Sequence, residues 1–137
     1  MIAHQATTVA IGGRAVLIEG ASGTGKSSLA LALIDRGAVL IGDDAIMLEA
    51  VGATLLASPH PRVTGLIEVR NLGLATMPVT GAVPVALVLI LDTAAPRHIE
   101  TADSAERCGV SLPLIRLYPD SPVLALRAEM ALARFGR

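Results

Sequence analysis

The sequence predicts an α/β fold, a mixed β-sheet flanked by helices. Three observations carry that reading. Near the start, a short apolar run, a glycine-rich loop and a helix-forming run follow one another. Beyond them, strand hairpins outnumber helices, which excludes a simple alternating βαβ chain. A nine-residue apolar stretch, residues 83–91, is rich in β-branched side chains and reads as a central strand.

Taken in order, residues 14–19 (Arg-Ala-Val-Leu-Ile-Glu) have the composition of a buried strand. Residues 27–36 hold strong helix formers and end at Gly37, a fitting C-cap. Residues 38–42 read as a strand leading into Asp43-Asp44, and residues 45–49 and 54–57 as a hairpin around Val51-Gly52. Ser58-Pro59-His60-Pro61 is expected to be irregular, because its prolines lack donors and restrict their neighbours. The central strand follows a turn at Thr80-Gly81-Ala82; residues 110–117 are apolar and β-rich, and Pro122 is expected to open a final helix running to about Phe135.

The segment between the first strand and first helix is Gly20-Ala21-Ser22-Gly23-Thr24-Gly25-Lys26-Ser27, a complete G-x-x-x-x-G-K-[ST] phosphate-binding loop. Lys26 is the only lysine of the chain, and every other cation is an arginine. A compact ammonium suits a reach between the β- and γ-phosphates of a nucleotide. The glycines let backbone N–H groups turn inward, and the helix N-terminus, with Ser28 in its first turn, adds partial positive charge. The Ser27 hydroxyl suits Mg²⁺.

The chain's 137 residues are the size of one domain, so residues 1–137 are read as a single catalytic domain without a separate substrate domain. The apolar fraction of 53% and mean hydropathy of +0.64 are high, yet residues 83–91 are too few to span a bilayer. No basic and then apolar leader is evident at Met1-Ile2-Ala3-His4-Gln5. With the single cysteine, Cys108, expected to be a small buried or half-buried residue, this points to the cytoplasm. Net charge is −1, the arginines are scattered, and Tyr118 and Phe135 are the only aromatics, so nucleic acid is not an expected partner. A nucleotide base would rest on aliphatic and backbone groups, with weak base selectivity. Surplus apolar surface favours a homo-oligomer.

Asp43-Asp44 lies sixteen residues past Ser27 at the end of an apolar strand. Ligands gather at the carboxyl ends of strands in open α/β sheets, so the two carboxylates can divide metal contact and proton transfer. Alone, an Asp-Asp pair is an ordinary turn; beside a phosphate loop the functional reading gains. In Ile67-Glu68-Val69-Arg70-Asn71-Leu72-Gly73, an extended backbone puts Glu68 and Arg70 on one face and Ile67 and Val69 on the other. That face serves either Mg²⁺ and a phosphoryl oxygen or a solvated ion pair.

Together, the phosphate loop, Leu40-Ile41-Gly42-Asp43-Asp44 and Leu66-Ile67-Glu68-Val69-Arg70-Asn71-Leu72-Gly73 resemble the catalytic, C-terminal domain of bacterial HPr kinase/phosphorylase. The likeness covers nearly the whole chain and is to the short, single-domain proteobacterial type in particular. It implies the phosphate-loop kinase fold shared with phosphoenolpyruvate carboxykinase, and a kinase that moves the γ-phosphoryl of ATP, with Mg²⁺, to a serine of HPr, the phosphocarrier of the sugar phosphotransferase system. It also implies the reverse, attack of inorganic phosphate on the phosphoserine, and a hexamer. By position, Asp43 matches the family's general base, Asp44 its neighbour near the metal, Ser27 and Glu68 the Mg²⁺-contacting pair, and Lys26 the phosphate-holding lysine. His4 resembles a family histidine close to the phosphate site, and Arg97 an arginine used in phosphoryl transfer. Asn71 stands where the family has glycine, and Tyr118-Pro119-Asp120-Ser121-Pro122 replaces a C-terminal stretch of longer members. His60 and His98 have no assigned role. Two rivals stay open: a related kinase with another protein or small-molecule acceptor, and a nucleotide-sensing module without turnover.

Overall fold

The computed structural model describes residues 1–137 as a curled mixed sheet with two helices. The apolar run expected at its centre is β9 (Val83–Leu91), buried along nearly its whole length. It pairs in parallel with β3 (Arg14–Gly20) on one side and β11 (Val110–Leu117) on the other, while its first residues pair antiparallel with β6 (Thr54–Pro59). From β3 the sheet continues through β2 (Thr7–Ile11) to β4 (Val39–Gly42), all antiparallel. From β6 it continues through β5 (Ile46–Val51) to the edge strand β1 (Ile2–His4). β10 (Asp103–Arg107) borders β11, and β7 (Leu66–Val69) with β8 (Gly73–Thr76) forms a separate two-stranded hairpin.

Strand alternation divides the interior into two cores. Val16 and Ile18 of β3 join Leu87, Leu89 and Leu91 of β9 under helices α1 (Lys26–Asp35) and α2 (Leu124–Phe135). Ala15 and Leu17 face the other way, against Val85, Val88, Ile46, Leu55 and Leu112 on the sheet's second face. A bulge shifts the register between β3 and β9: Ala15 opposes Val85, but Val16 opposes Leu87. The extra residue, Ala86, explains how Ala86 and Leu87 both belong to the helix-side core.

The mixed sheet and both helices agree with the sequence reading, and α1 ends in the Schellman pattern that Gly37 suggests. The amide of Gly37 (φ 109°) donates to Ile34 O at 3.0 Å and that of Ala38 to Leu33 O at 3.0 Å. Three details differ. β6 extends to Pro59, which needs no amide donor because it ends its strand opposite Ile46. Pro122 lies in the turn before α2, where the Leu124 amide reaches Ser121 O at 3.3 Å and Val123 is the N-cap. Cys108 is exposed, because it and Gly109 (φ 51° and 79°) form the two-residue turn joining β10 to β11.

Thr8, fully buried in β2, has a hydroxyl with no hydrogen-bond partner. An unmatched buried hydroxyl costs about 1–3 kcal/mol. Thr8→Val removes it at nearly constant volume and is expected to raise the unfolding free energy by about 1 kcal/mol, read as a higher denaturant midpoint at unchanged slope.

Candidate phosphate-binding site

β3 ends at Gly20 with the loop directly beyond it. Gly20 takes φ 144°, and a Cβ there would lie 2.8 Å from Leu91 O on the neighbouring strand, so this close approach admits no side chain. Gly23 and Gly25 hold φ of 81° and 95°, conformations that turn the backbone around a hollow. Gly25 is the N-cap of α1, and no side chain caps the helix, which leaves the amides of its first turn for an anion. Thr24 braces the loop internally, donating through Oγ1 to Ala21 O at 2.8 Å. Lys26 folds back, its Nζ donating to Gly20 O and Ala21 O at 3.0 Å each.

Asp43 and Asp44 follow β4, the edge strand separated from β3 by β2. Asp43 is half-buried and tightly oriented: its Oδ1 accepts from Ser27 Oγ at 2.7 Å and Thr7 Oγ1 at 3.0 Å, and its Oδ2 from the Glu68 amide at 2.9 Å. One carboxylate thus ties together β2, α1 and the β7–β8 hairpin. Asp44 is exposed, in the left-handed region at φ 69°; its carboxylate accepts only from Gln5 Nε2, at 3.3 Å, and its carbonyl from the Ala6 amide at 3.1 Å. Ile67 anchors β7 in the helix-side core, leaving Glu68 exposed on the opposite face. Asn71 has φ 72° in the hairpin turn. Asparagine tolerates that left-handed conformation better than other non-glycine residues, so it can replace a glycine here.

These groups border one cavity of about 370 Å³ whose lining includes no hydrophobic residue. Ser22, Gly23, Gly25, Lys26, Ser27 and Ser28 form the loop side, and Thr7, Asp43, Asp44, Glu68 and Arg70 the opposite side. The structure therefore brings Glu68 and Arg70, whose spacing left two readings open, to the phosphate loop. The oxygen donors Ser27 Oγ, Glu68 and Asp44 border this cavity and suit a hard cation such as Mg²⁺. No three His, Cys, Asp or Glu side chains converge into a ready cage.

Arg97 is placed elsewhere. It lines a separate cavity of about 340 Å³ with Arg116, Arg127 and Arg134. The segment after β9 is drawn toward β11, with the Asp92 amide donating to Leu117 O at 3.0 Å and Ile99 and Ala102 packing on the helix-side core. His4 does not line the phosphate cavity either. Its Nε2 lies 2.8 Å from Glu19 Oε2, and Glu19 also accepts from Arg107 Nη2 at 2.6 Å and Nε at 3.2 Å. His60 accepts the Arg62 amide at its Nδ1, and His98 pairs with Glu100, both outside the phosphate cavity.

Sequence reasoning did not single out Thr7, Glu19 or Arg107. Thr7 opens a strand that the sequence reading does not mark, and Arg107 meets Glu19 across 88 positions. Burial raises the Glu19 carboxyl, but hydrogen bonds and charge from His4 and Arg107 outweigh it and hold the group below its ordinary value of 4.5. A depressed folded value means the stabilisation is complete above about pH 4.5 and lost as pH falls through that lower value. Glu19→Gln is therefore expected to melt below the native chain at neutral pH, with the gap closing under acid. A gap constant down to about pH 3 would contradict this.

The family model described as HPr Serine kinase C-terminal domain matches residues 1–85, more than half of the chain. HPr kinase/phosphorylase of Chlorobium chlorochromatii is 34% identical over 128 residues, covering 83% of this chain and 38% of that protein. The Clostridium tetani protein of the same name is 42% identical over 66 residues, 48% of this chain and 22% of its own length. The chain thus spans well under half of these relatives. The structure of the Hpr(Ser) kinase/phosphatase from Coxiella burnetii superposes with a TM-score of 0.85 at 27% identity, over 97% of this chain and 89% of that one.

Proposed function

Since the chain belongs to the HPr serine kinase C-terminal domain family, we propose that it is an ATP- and Mg²⁺-dependent protein kinase that phosphorylates a serine of HPr and reverses the reaction with inorganic phosphate. The observation that carries the reading is the single polar cavity in which the uncapped N-terminus of α1, Lys26, Ser27, Asp43 and Glu68 meet. Phosphoryl transfer needs positioning and neutralisation of charge more than covalent chemistry, and this site supplies both.

In this mechanism the amides of residues 20–28 and the Lys26 ammonium hold the triphosphate, the lysine turning from the loop carbonyls to the phosphates. Ser27 and Glu68, with Asp44 beside them on the cavity wall, would hold Mg²⁺, which would neutralise phosphate charge. Asp43 accepts the proton of the attacking serine hydroxyl and returns it in reverse, its orientation fixed by Thr7, Ser27 and the Glu68 amide. Arg70 faces the same cavity and suits a phosphoryl oxygen. Arg97, in its own cavity, has no part in these steps. Residues 1–137 act as one catalytic domain. A homo-oligomer, a hexamer by family resemblance, draws support from Leu72 and Leu74, which the β7–β8 hairpin exposes by 84% and 72%. No helix is long and apolar enough to cross a membrane; we place the protein in the cytoplasm.

The reverse direction gives a test. Serine-phosphorylated HPr mixed with inorganic phosphate and Mg²⁺ is expected to yield free HPr and pyrophosphate. Release of phosphate without pyrophosphate would show hydrolysis instead, and an inert phosphoserine would remove the reverse reaction from the account.

A further inference from the structure

A carboxylate placed directly before a phosphate loop is an electrostatic misfit, because it repels the polyanion the loop exists to bind. Glu19 is such a group: it precedes Gly20 and lines a cavity of about 400 Å³ together with Gln5, Ser22, Lys26 and Asp44. The misfit is cancelled locally. Arg107 forks onto both of its oxygens, and the two side chains are only 15% and 22% exposed. A bidentate pair of this kind is enough to brace β10 against β3. Yet the carboxylate carries a third contact, His4 Nε2 at 2.8 Å, from β1 at the far edge of the sheet. His4 also lines a cavity of about 300 Å³ with Gln5, Asp44 and His60.

We propose that Glu19 is a positioning residue, clamped by Arg107, that holds the His4 ring by Nε2–H and so leaves Nδ1 as the nitrogen available to a group entering beside Asp44. The inference rests on the phosphotransfer reading above, and assigns the His4 edge to the anionic or hydroxyl side of the reaction. A neutral imidazole donates from one nitrogen and accepts at the other, so a carboxylate on Nε2 fixes the tautomer as well as the ring plane. Arg107 matters because it neutralises Glu19 without displacing the ring. The charged or titratable groups facing this cluster are Lys26 and Asp44 from the loop and β4 sides, and His60 across the smaller cavity.

The test has two arms. Long-range ¹H–¹⁵N spectra of the full chain at about pH 9, where imidazole is neutral, report the His4 tautomer without reference to activity. The native protein is expected to show Nε2–H. Glu19→Met, which leaves no acceptor facing Nε2, should shift it toward the mixture of a free imidazole, while Arg107→Met, which leaves the carboxylate, should retain it. In kinetics, Glu19→Gln is expected to lower kcat roughly 10- to 100-fold with a smaller change in KM for ATP, by analogy with the loss of a carboxylate behind a metal-ligating imidazole. Glu19→Asp should recover part of the loss. A tautomer ratio unchanged in Glu19→Met overturns the clamp whatever the activity. A lost tautomer with undiminished kcat overturns its role in turnover. Should the native chain transfer no phosphoryl group, the fault lies with the functional reading, and the spectra alone decide the clamp.

Discussion

Lys26→Ala is expected to abolish practical phosphoryl transfer, lowering kcat by about 100- to 1000-fold, the cost of deleting one preorganised group that stabilises developing charge. Nothing else in the chain can replace it, since Lys26 is the only lysine and Arg70 approaches from the opposite wall of the cavity. The loss should be catalytic and not a failure to fold. The ammonium contacts only Gly20 O and Ala21 O, at 3.0 Å each, and those carbonyls can turn to water. ATP affinity should fall as well, because the ground-state phosphates share the same ammonium. Turnover assays paired with thermal melts check both parts: an unchanged melting temperature with lost transfer is predicted, and near-native transfer contradicts the site.

Asp43→Ala is expected to separate binding from chemistry, keeping ATP binding while lowering transfer by about 100- to 10,000-fold, the range attributed to a positioned general base. Its structural consequences are larger than those of the lysine variant. Asp43 accepts from Ser27, Thr7 and the Glu68 amide, so alanine leaves three donors without their partner and should lower stability by roughly 1–3 kcal/mol. Asp44→Ala is the control. The Asp44 carboxylate is exposed and accepts one long hydrogen bond from Gln5, so its removal should cost the fold only about 1 kcal/mol for holding alanine at φ 69°, and should cost less transfer. A larger transfer loss in Asp44→Ala than in Asp43→Ala would move the base to Asp44.

Parts of this architecture were legible because their physics is local. The phosphate loop announces itself through glycines that must take positive φ and through one lysine. β9 and β11 are apolar over most of their length, and Gly37 marks the end of α1 by its own conformation. Other parts depend on distant neighbours. β1 spans Ile2–His4 and β10 spans Asp103–Arg107, too short for a period to emerge, and each is a strand only because β5 or β11 offers it a ladder. Thr7 reads as any threonine until β2 sets it opposite Asp43.

The site shows the same division. Asp43, Glu68 and Arg70 could be gathered by motif, yet the hydrogen bond that joins Glu68 to Asp43 runs through a backbone amide, which no residue type reveals. The Glu19, His4 and Arg107 cluster spans three strands. Arg97 could be matched by resemblance but not placed, because the segment after β9 follows contacts to β11 and the helix-side core. Asn71 is the opposite case, where an apparent departure from a glycine became intelligible once its φ of 72° was known.

The central claim is tested most directly by incubating the full chain with Mg²⁺, γ-labelled ATP and HPr, with Asp43→Ala and an HPr lacking its regulatory serine alongside. The account predicts label on the HPr serine, absent from both controls. Demonstrated ATP binding without label on HPr would contradict it, and would turn the search to another acceptor or to a nucleotide sensor.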